Sequence, residues 1–370
     1  MEKLIFRKFF LDTIKFLIIG TLSLSLIVWV IQAVNYLDFV SEDGHSFKVY
    51  FLYTLFNLPK IISRLLIFMF FIAIFYTISR YEEKNELIIF WLNGIKKFEF
   101  INFILKFSII IILLQLILNL FIVPKSQDLA RSYIRTSNID YFPSLLKSKK
   151  FVSTVEDLTL FIEKKNEKGE MINIFLKDTQ EDGSQIISAK KGVLKKDKEN
   201  FFLDLYDGSL IDSNSQGSNF ITYDRTQINL SKYSTKTTVD PKIQEQSTNL
   251  LLSCLITVYK YNSSFFKDNL DCKYEGVNIV IEELYKRSVV PFYILIVAII
   301  GSCLALKSEN YAHFTKFKFL LFLIGILIIV LSQLLSSYVE SFDLKNMIIG
   351  FFPFFISLIF YSYLQLRLKE

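Results

Sequence analysis

The chain alternates between long apolar runs and short charged segments, and one broad polar region separates the third run from the fourth. About 20 apolar residues, at ~1.5 Å each in a helix, cross a hydrocarbon core of ~30 Å. Six runs approach or reach this length. They predict six membrane-spanning helices, at residues 9–34, 51–79, 98–123, 289–306, 317–336 and 347–364.

Two prolines are expected to shape the second and third of these runs. Proline has no backbone N–H, and its ring clashes with the preceding helical turn. We therefore expect Pro59 to divide the second run into two segments. Pro124 is expected to end the third span.

The polar region, residues 126–285, has the pattern of an all-β domain. Short β-rich runs alternate with turns at Gly169, at Gly192 and at Asp207 with Gly208, which is typical of hairpins. Such strands predict a sandwich, a jelly roll or an open barrel. The sequence thus divides into residues 1–125 with spans 1–3, the inserted β domain at 126–285, and residues 286–370 with spans 4–6.

The distribution of charge predicts which side of the membrane each loop occupies. Of the Lys and Arg residues in the short flanks, twelve lie on one side of the predicted spans and two, Lys48 and Lys345, on the other. Lys and Arg concentrate on the cytoplasmic side. Both termini and the connector at 80–97 are therefore predicted to be cytoplasmic, and the β domain extracytoplasmic. This pattern accounts for most of the net charge of +6 without a nucleic-acid partner.

Motifs for covalent chemistry are missing from the sequence. It has no G-x-x-x-x-G-K-[ST] phosphate loop, no G-x-G-x-x-G motif and no G-x-S-x-G elbow. His45 and His313 fall on opposite sides of the predicted membrane, and the cysteines have no metal-site spacing. Cys254 and Cys272 are able to pair only if the insert is extracytoplasmic. We therefore expect no catalytic residue, no cofactor and no metal in this chain.

The connector "RYEEKNELIIFWLNGIKK", residues 80–97, is too charged for the bilayer interior and too apolar for an ordinary loop. Written as one helix over 82–97, it has a polar face and an apolar face. The polar face carries Glu82, Glu86, Asn93 and Lys97, and the apolar face carries Leu87, Phe90, Trp91 and Gly94. Such a helix either anchors the bundle in the membrane interface or docks in a groove of another protein. In the second case it is a coupling helix, through which a separate motor moves the spans.

Several cations are predicted at the outer ends of the spans. Arg64 precedes Arg80 by 16 residues, about 24 Å along a helix, and Lys60 is one turn further out. These side chains either bind the phosphates of a lipid head group by charge-assisted hydrogen bonds or snorkel to ordinary phospholipid. The set consists of Lys60, Arg64, Lys125, Arg131, Arg135, Lys286 and Arg287.

Local patterns in the sequence resemble the LptF/LptG family of lipopolysaccharide export permeases. The connector resembles the family's coupling segment, with Glu86 and Gly94 at the matching positions, although larger residues stand where a small one usually precedes the glycine. "ISAKKGVL" followed by "FLDLYDGSLI" resembles a strand pair of the family's jelly roll. "EELYKRSVVPFYILIVAIIGSCLAL" resembles the start of its fourth span, with Arg287 and Pro291 in register, and "VDPKIQEQSTNLL" fits the preceding linker. "WVIQAVNYLDFVSEDG", residues 29–44, looks more like the F member than the G member.

The resemblance covers essentially the whole chain and implies a complete transport system. It implies a bundle of six transmembrane helices with an inserted periplasmic jelly-roll-like β domain, in a multi-pass protein of the bacterial inner membrane. The chain would pair with the paralogous permease, LptG-like if this one is LptF-like. An LptB-like ATPase dimer would hold the ATP and Mg and would grip the connector. Lipopolysaccharide would then pass to an LptC-like bridge protein and on to an LptA-like periplasmic protein.

The resemblance also implies roles for particular residues. The ATPase-coupling residues would be Glu86, Leu87, Phe90, Trp91 and Gly94. The lipid head-group contacts would be Lys60, Arg64, Lys125, Arg131, Arg135 and Arg287. In the β domain, the candidates for contact with acyl chains, which serve equally well as ordinary core, are Phe161, Ile174, Leu176, Phe202, Leu205 and Ile221.

Two other functions remain open at this point. One is an ABC-type permease for lipoproteins or another lipid, although such proteins usually have four spans with the domain after the first. The other is a membrane scaffold whose β domain binds a partner without transport. A sensor or scaffold of this kind needs a cytoplasmic output domain, whereas the longest predicted cytoplasmic segment here has about 18 residues.

Overall fold

The computed structural model describes most of the chain. The described residues are 2–37, 46–137, 149, 151–155, 158–166, 170–180, 183–197, 200–214, 217–230, 242–261, 265–267, 270–272, 277–307, 313–339 and 344–369. They form two compact units. One unit consists of Met1–Ile31, Phe56–Asp128 and Pro241–Glu370, and the other of Gln32–Leu55 and Leu129–Asp240.

The six predicted spans are confirmed, each as a helix long and apolar enough to cross a membrane. In chain order, spans 1–6 are Lys3–Asn35, Phe47–Glu83, Lys97–Ile134, Val277–Leu306, Phe314–Ser336 and Ile349–Leu368. The helices that build them and the short helices between them are α1 Glu2–Asn35, α2 Phe47–Phe56, α3 Leu58–Glu83, α4 Leu87–Leu92, α5 Lys97–Ile117, α6 Val123–Ser137, α7 Thr248–Tyr261, α8 Val277–Ser288, α9 Tyr293–Ser302, α10 Phe314–Ser336 and α11 Leu344–Lys369.

Pro59 divides span 2 as predicted. Helix α2 ends at Phe56, and α3 begins at Leu58 with the proline in its first turn. This position suits proline, because the first N–H groups of a helix have no partner within the helix and the ring presets the helical φ.

The prediction that Pro124 ends span 3 is wrong. The helix passes through the proline by way of one π turn, Leu118–Ile122, and continues as α6 to Ser137. A π turn admits one extra residue into the helix, so the helix can continue past a residue that has no N–H donor. Local propensity favoured a stop, and the surroundings of the helix overrode it.

The prediction of one helix over 82–97 is also wrong, because two Schellman ends break the segment. Asn85 adopts φ 56° after α3, and Gly94 adopts φ 81° after α4. The Glu86 N–H donates to the Tyr81 carbonyl at 2.7 Å, and the Ile95 N–H donates to the Phe90 carbonyl at 3.1 Å. These are the six-to-one hydrogen bonds of the motif, which favours Asn or Gly at the left-handed position. The helical part is therefore only Leu87–Leu92.

Aromatic side chains dominate the core of the helical unit. Phe9, Phe70, Phe71 and Tyr293 are completely buried within one continuous cluster. Gly325 on α10 lies directly against the ring of Phe71, where a Cβ atom would overlap the ring. The glycine therefore lets α10 approach α3 closely, as small residues do in membrane helix packing.

The insert contains a β domain, as predicted, and the described strands between residues 151 and 229 form one antiparallel sheet. The strands lie in chain order, β1-β2-β3-β4-β5-β6, so each strand pairs with the next along the chain. This is an up-and-down arrangement, whereas a complete jelly roll joins two Greek keys. The strands are β1 Phe151–Val155, β2 Leu158–Lys165, β3 Glu170–Gln180, β4 Gly183–Asp197, β5 Asn200–Asn214 and β6 Gly217–Asn229. Two further short strands, Phe265–Lys267 and Leu270–Cys272, pair only with each other among the described residues.

Asp204 on β5 is a completely buried charged residue of this sheet. Its carboxylate lies 2.7 Å from Lys195 Nζ and 3.1 Å from Arg225 Nη2, and it accepts a hydrogen bond from Gln227 at 2.9 Å. The hydrogen bond from Lys195, followed by that from Arg225, lowers the pKa of Asp204 below its usual value against the opposing effect of burial. The group therefore stays ionised and ties β4, β5 and β6 together.

Candidate functional site

Helix α4 is anchored to the bundle by two of the five residues that were predicted to contact an ATPase. Leu87 and Phe90 are buried, with 0% and 1% of their surfaces exposed. The Phe90 ring packs edge to face against Phe100 and Phe6, at centroid distances of 5.3 and 5.6 Å. Both side chains therefore fix the connector to its own chain, and they offer no surface to a partner in this conformation.

The exposed side of α4 is nevertheless apolar. Ile88 and Ile89 are each 47% exposed, and Leu92 is 81% exposed. Trp91 is half-buried between these residues and the core, with its ring 5.9 Å from the Phe100 ring. We call Ile88, Ile89 and Leu92 the foot. Burying such a surface against another protein is favourable, at roughly 25 cal/mol per Å² of apolar area.

Polar contacts connect the connector to three other spans. Glu86 pairs with Lys8 of span 1 at 3.2 Å. Glu83 pairs with Lys318 of span 5 at 2.9 Å. At the far end, Lys97 Nζ donates to the carbonyl of Leu306, at the end of span 4, at 2.8 Å. The connector is therefore bonded to spans 1, 4 and 5.

A polar cavity of about 450 Å³ lies inside the helical unit, between spans 2–5 and the segment before α7. Among its charged lining residues, positive side chains outnumber negative ones. The charged lining consists of Lys60, Arg64, Lys286, Arg287 and Glu283, and the uncharged polar lining includes Ser63, Gln115, Asn119, Gln127, Gln244 and Gln333.

Lys60 and Arg64 lie together on the wall of this cavity, as their spacing of one turn suggested. The Lys60 ammonium donates to Gln244 Oε1 at 3.0 Å. Arg64 is exposed, and no hydrogen bond or ion pair to its guanidinium is found within the part of the chain that the structure describes. An anion entering the cavity would thus meet one cation held by a neutral acceptor and one available cation.

Arg287 also borders the cavity, but its donors are occupied. Only 3% of the residue is exposed. The guanidinium pairs with Glu283 at 2.8 Å and donates to the carbonyls of Gln246 and Gln244 at 2.9 and 3.1 Å. The prediction that Arg287 contacts a lipid head group is therefore replaced by a structural role, since no donor is left for a ligand.

Two of the other predicted head-group cations, Lys125 and Arg131, are not among the described residues that line the cavity. Lys125 is exposed on α6. Arg131 is buried on the same helix, in the other compact unit. The side chain of Arg135 lies outside the described residues.

The neutral residues around Lys60 are difficult to recognise from sequence alone. Gln127 and Gln244 are far apart in the chain and carry no charge, so neither stands out among other glutamines. Gln115 donates to the Ser63 carbonyl at 2.8 Å, and Ser63 donates to Asn119. The spacing of Gln115 and Asn119, one turn apart in an otherwise apolar span, is the one signal that pointed to this cluster.

The apolar candidates of the β domain divide between core and surface. Ile174, Leu176 and Leu205 are buried in the core of the sheet. Phe161 and Phe202 are half-buried, whereas Ile221 is 55% exposed. The first three are therefore ordinary core residues in this conformation.

The structure gives the state of two of the three cysteines. Cys254 on α7 is disulfide-bonded, and Cys303 has a free thiol. The side chain of Cys272 lies outside the described residues. Within the described ranges, no group of three or more His, Cys, Asp or Glu side chains is arranged to hold a metal ion.

Six spans, an inserted antiparallel sheet, a cationic cavity and an apolar foot together define a multi-pass membrane protein with an inserted β domain. The chain belongs to the lipopolysaccharide export system permease LptF/LptG family, which it matches over residues 7–367. It is also similar to a Rickettsia prowazekii (strain Madrid E) protein described as "Uncharacterized protein RP871". The two are 24% identical over 348 residues, which cover 93% of this chain and 92% of that protein.

Proposed function

We propose that the chain is one permease half of an ATP-driven transporter that takes lipopolysaccharide from the outer leaflet of the inner membrane to a periplasmic bridge. Membership of the export permease family supports the cargo. The observation that carries the proposal within the chain is the cavity that Lys60 and Arg64 line. Lys and Arg bind phosphate groups by charge-assisted hydrogen bonds, and lipopolysaccharide carries phosphates on its head group.

The energy would come from a separate ATPase. The sequence has no phosphate-binding loop of its own, and the foot presents three apolar side chains to a partner. An LptB-like ATPase dimer with its own ATP and Mg would bind the foot. Glu86 and Gly94 would contribute through the charge and shape of the connector. Leu87 and Phe90, which are buried in the bundle, would transmit the force from the ATPase to the spans.

Two observations support the proposed orientation in the membrane. Lys and Arg in the short flanks are concentrated on the side of the termini and the connector, which favours a cytoplasmic location for these parts. The disulfide at Cys254 favours an oxidising location for α7, on the other side. The β domain would then be periplasmic and would hand lipid to LptC-like and LptA-like proteins.

The partner permease would be the paralogue of this chain. We propose the F-type half for this chain, on the resemblance of residues 29–44. Part of that stretch, residues 38–44, lies outside the described residues.

The test is purification of the complex from membranes, with identification of co-purified proteins and mass spectrometry of bound lipid. We expect an ATPase, the paralogous permease and lipopolysaccharide. The double variant Lys60→Glu with Arg64→Glu should lose most of the lipid, because the charge reversal repels phosphate. Lys125→Glu is the matched control, since it reverses a cation outside the cavity and should retain the lipid.

Two results would refute the proposal. A complex that never contains an ATPase would favour a scaffold that does not transport. Equal lipid retention in the wild type and in the double variant would make Lys60 and Arg64 ordinary snorkelling residues.

A further inference from the structure

The π turn of span 3 leaves a backbone carbonyl that a distant side chain binds. Pro124 has no N–H, so it cannot donate to the carbonyl of Leu120 as residue i+4 does in a regular α-helix. The hydroxyl of Thr248 donates to this carbonyl at 2.6 Å. Thr248 is the first residue of α7. The irregular turn of span 3 is thus tied to the segment that follows the β domain in the chain.

Arg287 organises that segment from the other side. Its Nη1 atom donates to Thr248 Oγ1 at 3.0 Å and to the Gln246 carbonyl at 2.9 Å. Its Nη2 atom donates to the Gln244 carbonyl at 3.1 Å. We call residues 243–248 the linker. One planar guanidinium therefore binds the linker at several points, and its own position is set by the ion pair with Glu283.

The linker in turn holds the cation of the cavity. The Gln244 side chain accepts a hydrogen bond from the Lys60 ammonium at 3.0 Å. Gln127, in the amide orientation that satisfies both neighbours, accepts from Lys60 at 2.7 Å and donates to the Gln244 carbonyl at 3.2 Å. Arg287 and Lys60 are therefore connected through a single residue, Gln244, whose backbone binds one and whose side chain binds the other.

We propose that Arg287 is a positioning residue, and that the linker it holds is a movable wall of the cationic cavity. The inference rests on the proposed function, in which Lys60 binds a lipid phosphate. Arg287 fixes Gln244, and Gln244 and Gln127 aim the Lys60 ammonium into the cavity. Thr248, which Arg287 also binds, connects the linker to the π turn of span 3.

Two properties of the network indicate that the linker responds to the ligand. The acceptors on Lys60 are neutral amides, and a phosphate is a stronger acceptor for an ammonium group. A phosphate that takes a hydrogen bond from Lys60 changes the environment of Gln244. Because coupling between two sites is reciprocal, a ligand that alters the linker is itself bound with a different affinity when the linker is altered.

The first measurement is hydrogen exchange of the linker amides in the whole complex. The probe is lipid A with its phosphates, with dephosphorylated lipid A as the matched control. We expect the phosphorylated probe to change the exchange rate of residues 243–248 in the wild type, and the dephosphorylated probe to leave it unchanged. Lys60→Met removes the hydrogen bond to Gln244, so the basal rate of the linker should change and the response to the probe should be lost.

The second measurement is binding of the same probe to linker variants. Thr248→Val, which removes the hydroxyl at nearly constant volume, should weaken binding by about fivefold, the effect of one lost hydrogen bond. Thr248→Ser should restore it. Arg287→Lys keeps the charge but loses the planar fork, so it should raise linker exchange and weaken binding. Thr248→Val and Thr248→Ser keep the test valid if Arg287→Lys does not fold.

The outcomes separate this inference from the proposed function. If the probe binds in a Lys60-dependent way but leaves linker exchange unchanged, the linker is a static clamp and the inference is wrong. Equal binding by Thr248→Val and the wild type would also overturn it. If the wild type binds neither probe, the proposed function itself fails.

Discussion

The Oε1 atom of Glu83, the last residue of α3, lies 2.9 Å from the Nζ atom of Lys318, in the first turns of α10. This contact joins the connector to span 5, as the pair of Lys8 with Glu86 joins it to span 1. Spans 1 and 5 are largely exposed within this chain, with 17% and 22% of their most apolar windows buried, against 67% for span 2. The connector is therefore bonded to two spans that have much of their surface open to lipid or to another chain.

Reversing the charges at this contact should affect lipid-stimulated ATP hydrolysis more than it affects thermal unfolding. Lys318→Glu opposes Glu83 and should lower lipid-stimulated ATP hydrolysis by the complex. The double variant Glu83→Lys with Lys318→Glu restores opposite charges and should recover most of it. Exposed ion pairs contribute about 0–1 kcal/mol, so we expect little change in thermal unfolding. A double variant no better than Lys318→Glu alone would contradict this role.

A matched pair of variants should distinguish the role of the foot from that of the buried residues that anchor α4. Leu92→Asp places a charge on the most exposed apolar residue of the foot and should reduce co-purified ATPase without changing the thermal unfolding of the permease. Phe90→Ala removes a buried ring and should cost about 3–5 kcal/mol, which is measurable as a lower unfolding temperature. If Leu92→Asp retains the ATPase at the wild-type level, the foot is not the docking surface.

Glu86→Ala should loosen the ATPase and stop export while the spans remain folded. The carboxylate is partly exposed and is paired with Lys8, so its loss should cost no more than about 1 kcal/mol of stability. Lys8→Ala is the control, because it removes the same ion pair and leaves the carboxylate in place. Measurement of ATPase retention in both variants separates the two roles. Equal losses would assign the effect to the pair within the chain.

The β sheet should lose stability in acid through Asp204. Because the folded-state pKa of Asp204 is lowered, its contribution is fully present above the unfolded-state value near 3.8. It is lost as the pH falls through the lower folded-state value. Hydrogen exchange of β5 and β6 in this acid range should accelerate, and Asp204→Asn should remove that part of the pH dependence. Identical pH profiles for the two proteins would rule Asp204 out.

The sequence by itself determined the architecture of the chain. Six apolar runs predict six spans because backbone groups in lipid must be satisfied within a helix, and period-2 runs between turns predict strands. The effect of Pro59 was predicted correctly, because a proline in the first turn of a helix removes no hydrogen bond. No partner from a distant segment is therefore needed. The matching positions of Glu86 and Gly94 were also visible in the sequence. The left-handed φ of Gly94 explains why a glycine occupies that position.

The tertiary structure alone decided how those elements are used. Leu87 and Leu92 have the same side chain, yet one is completely buried and the other 81% exposed, because two left-handed residues turn a short helix against Phe9 and Phe100. Pro124 fails to end its helix because a hydroxyl 128 residues away binds the carbonyl of Leu120. Arg287 holds the linker because its acceptors come from residues about 40 positions earlier. These outcomes depend on contacts between distant segments, and local propensity carries no information about such contacts.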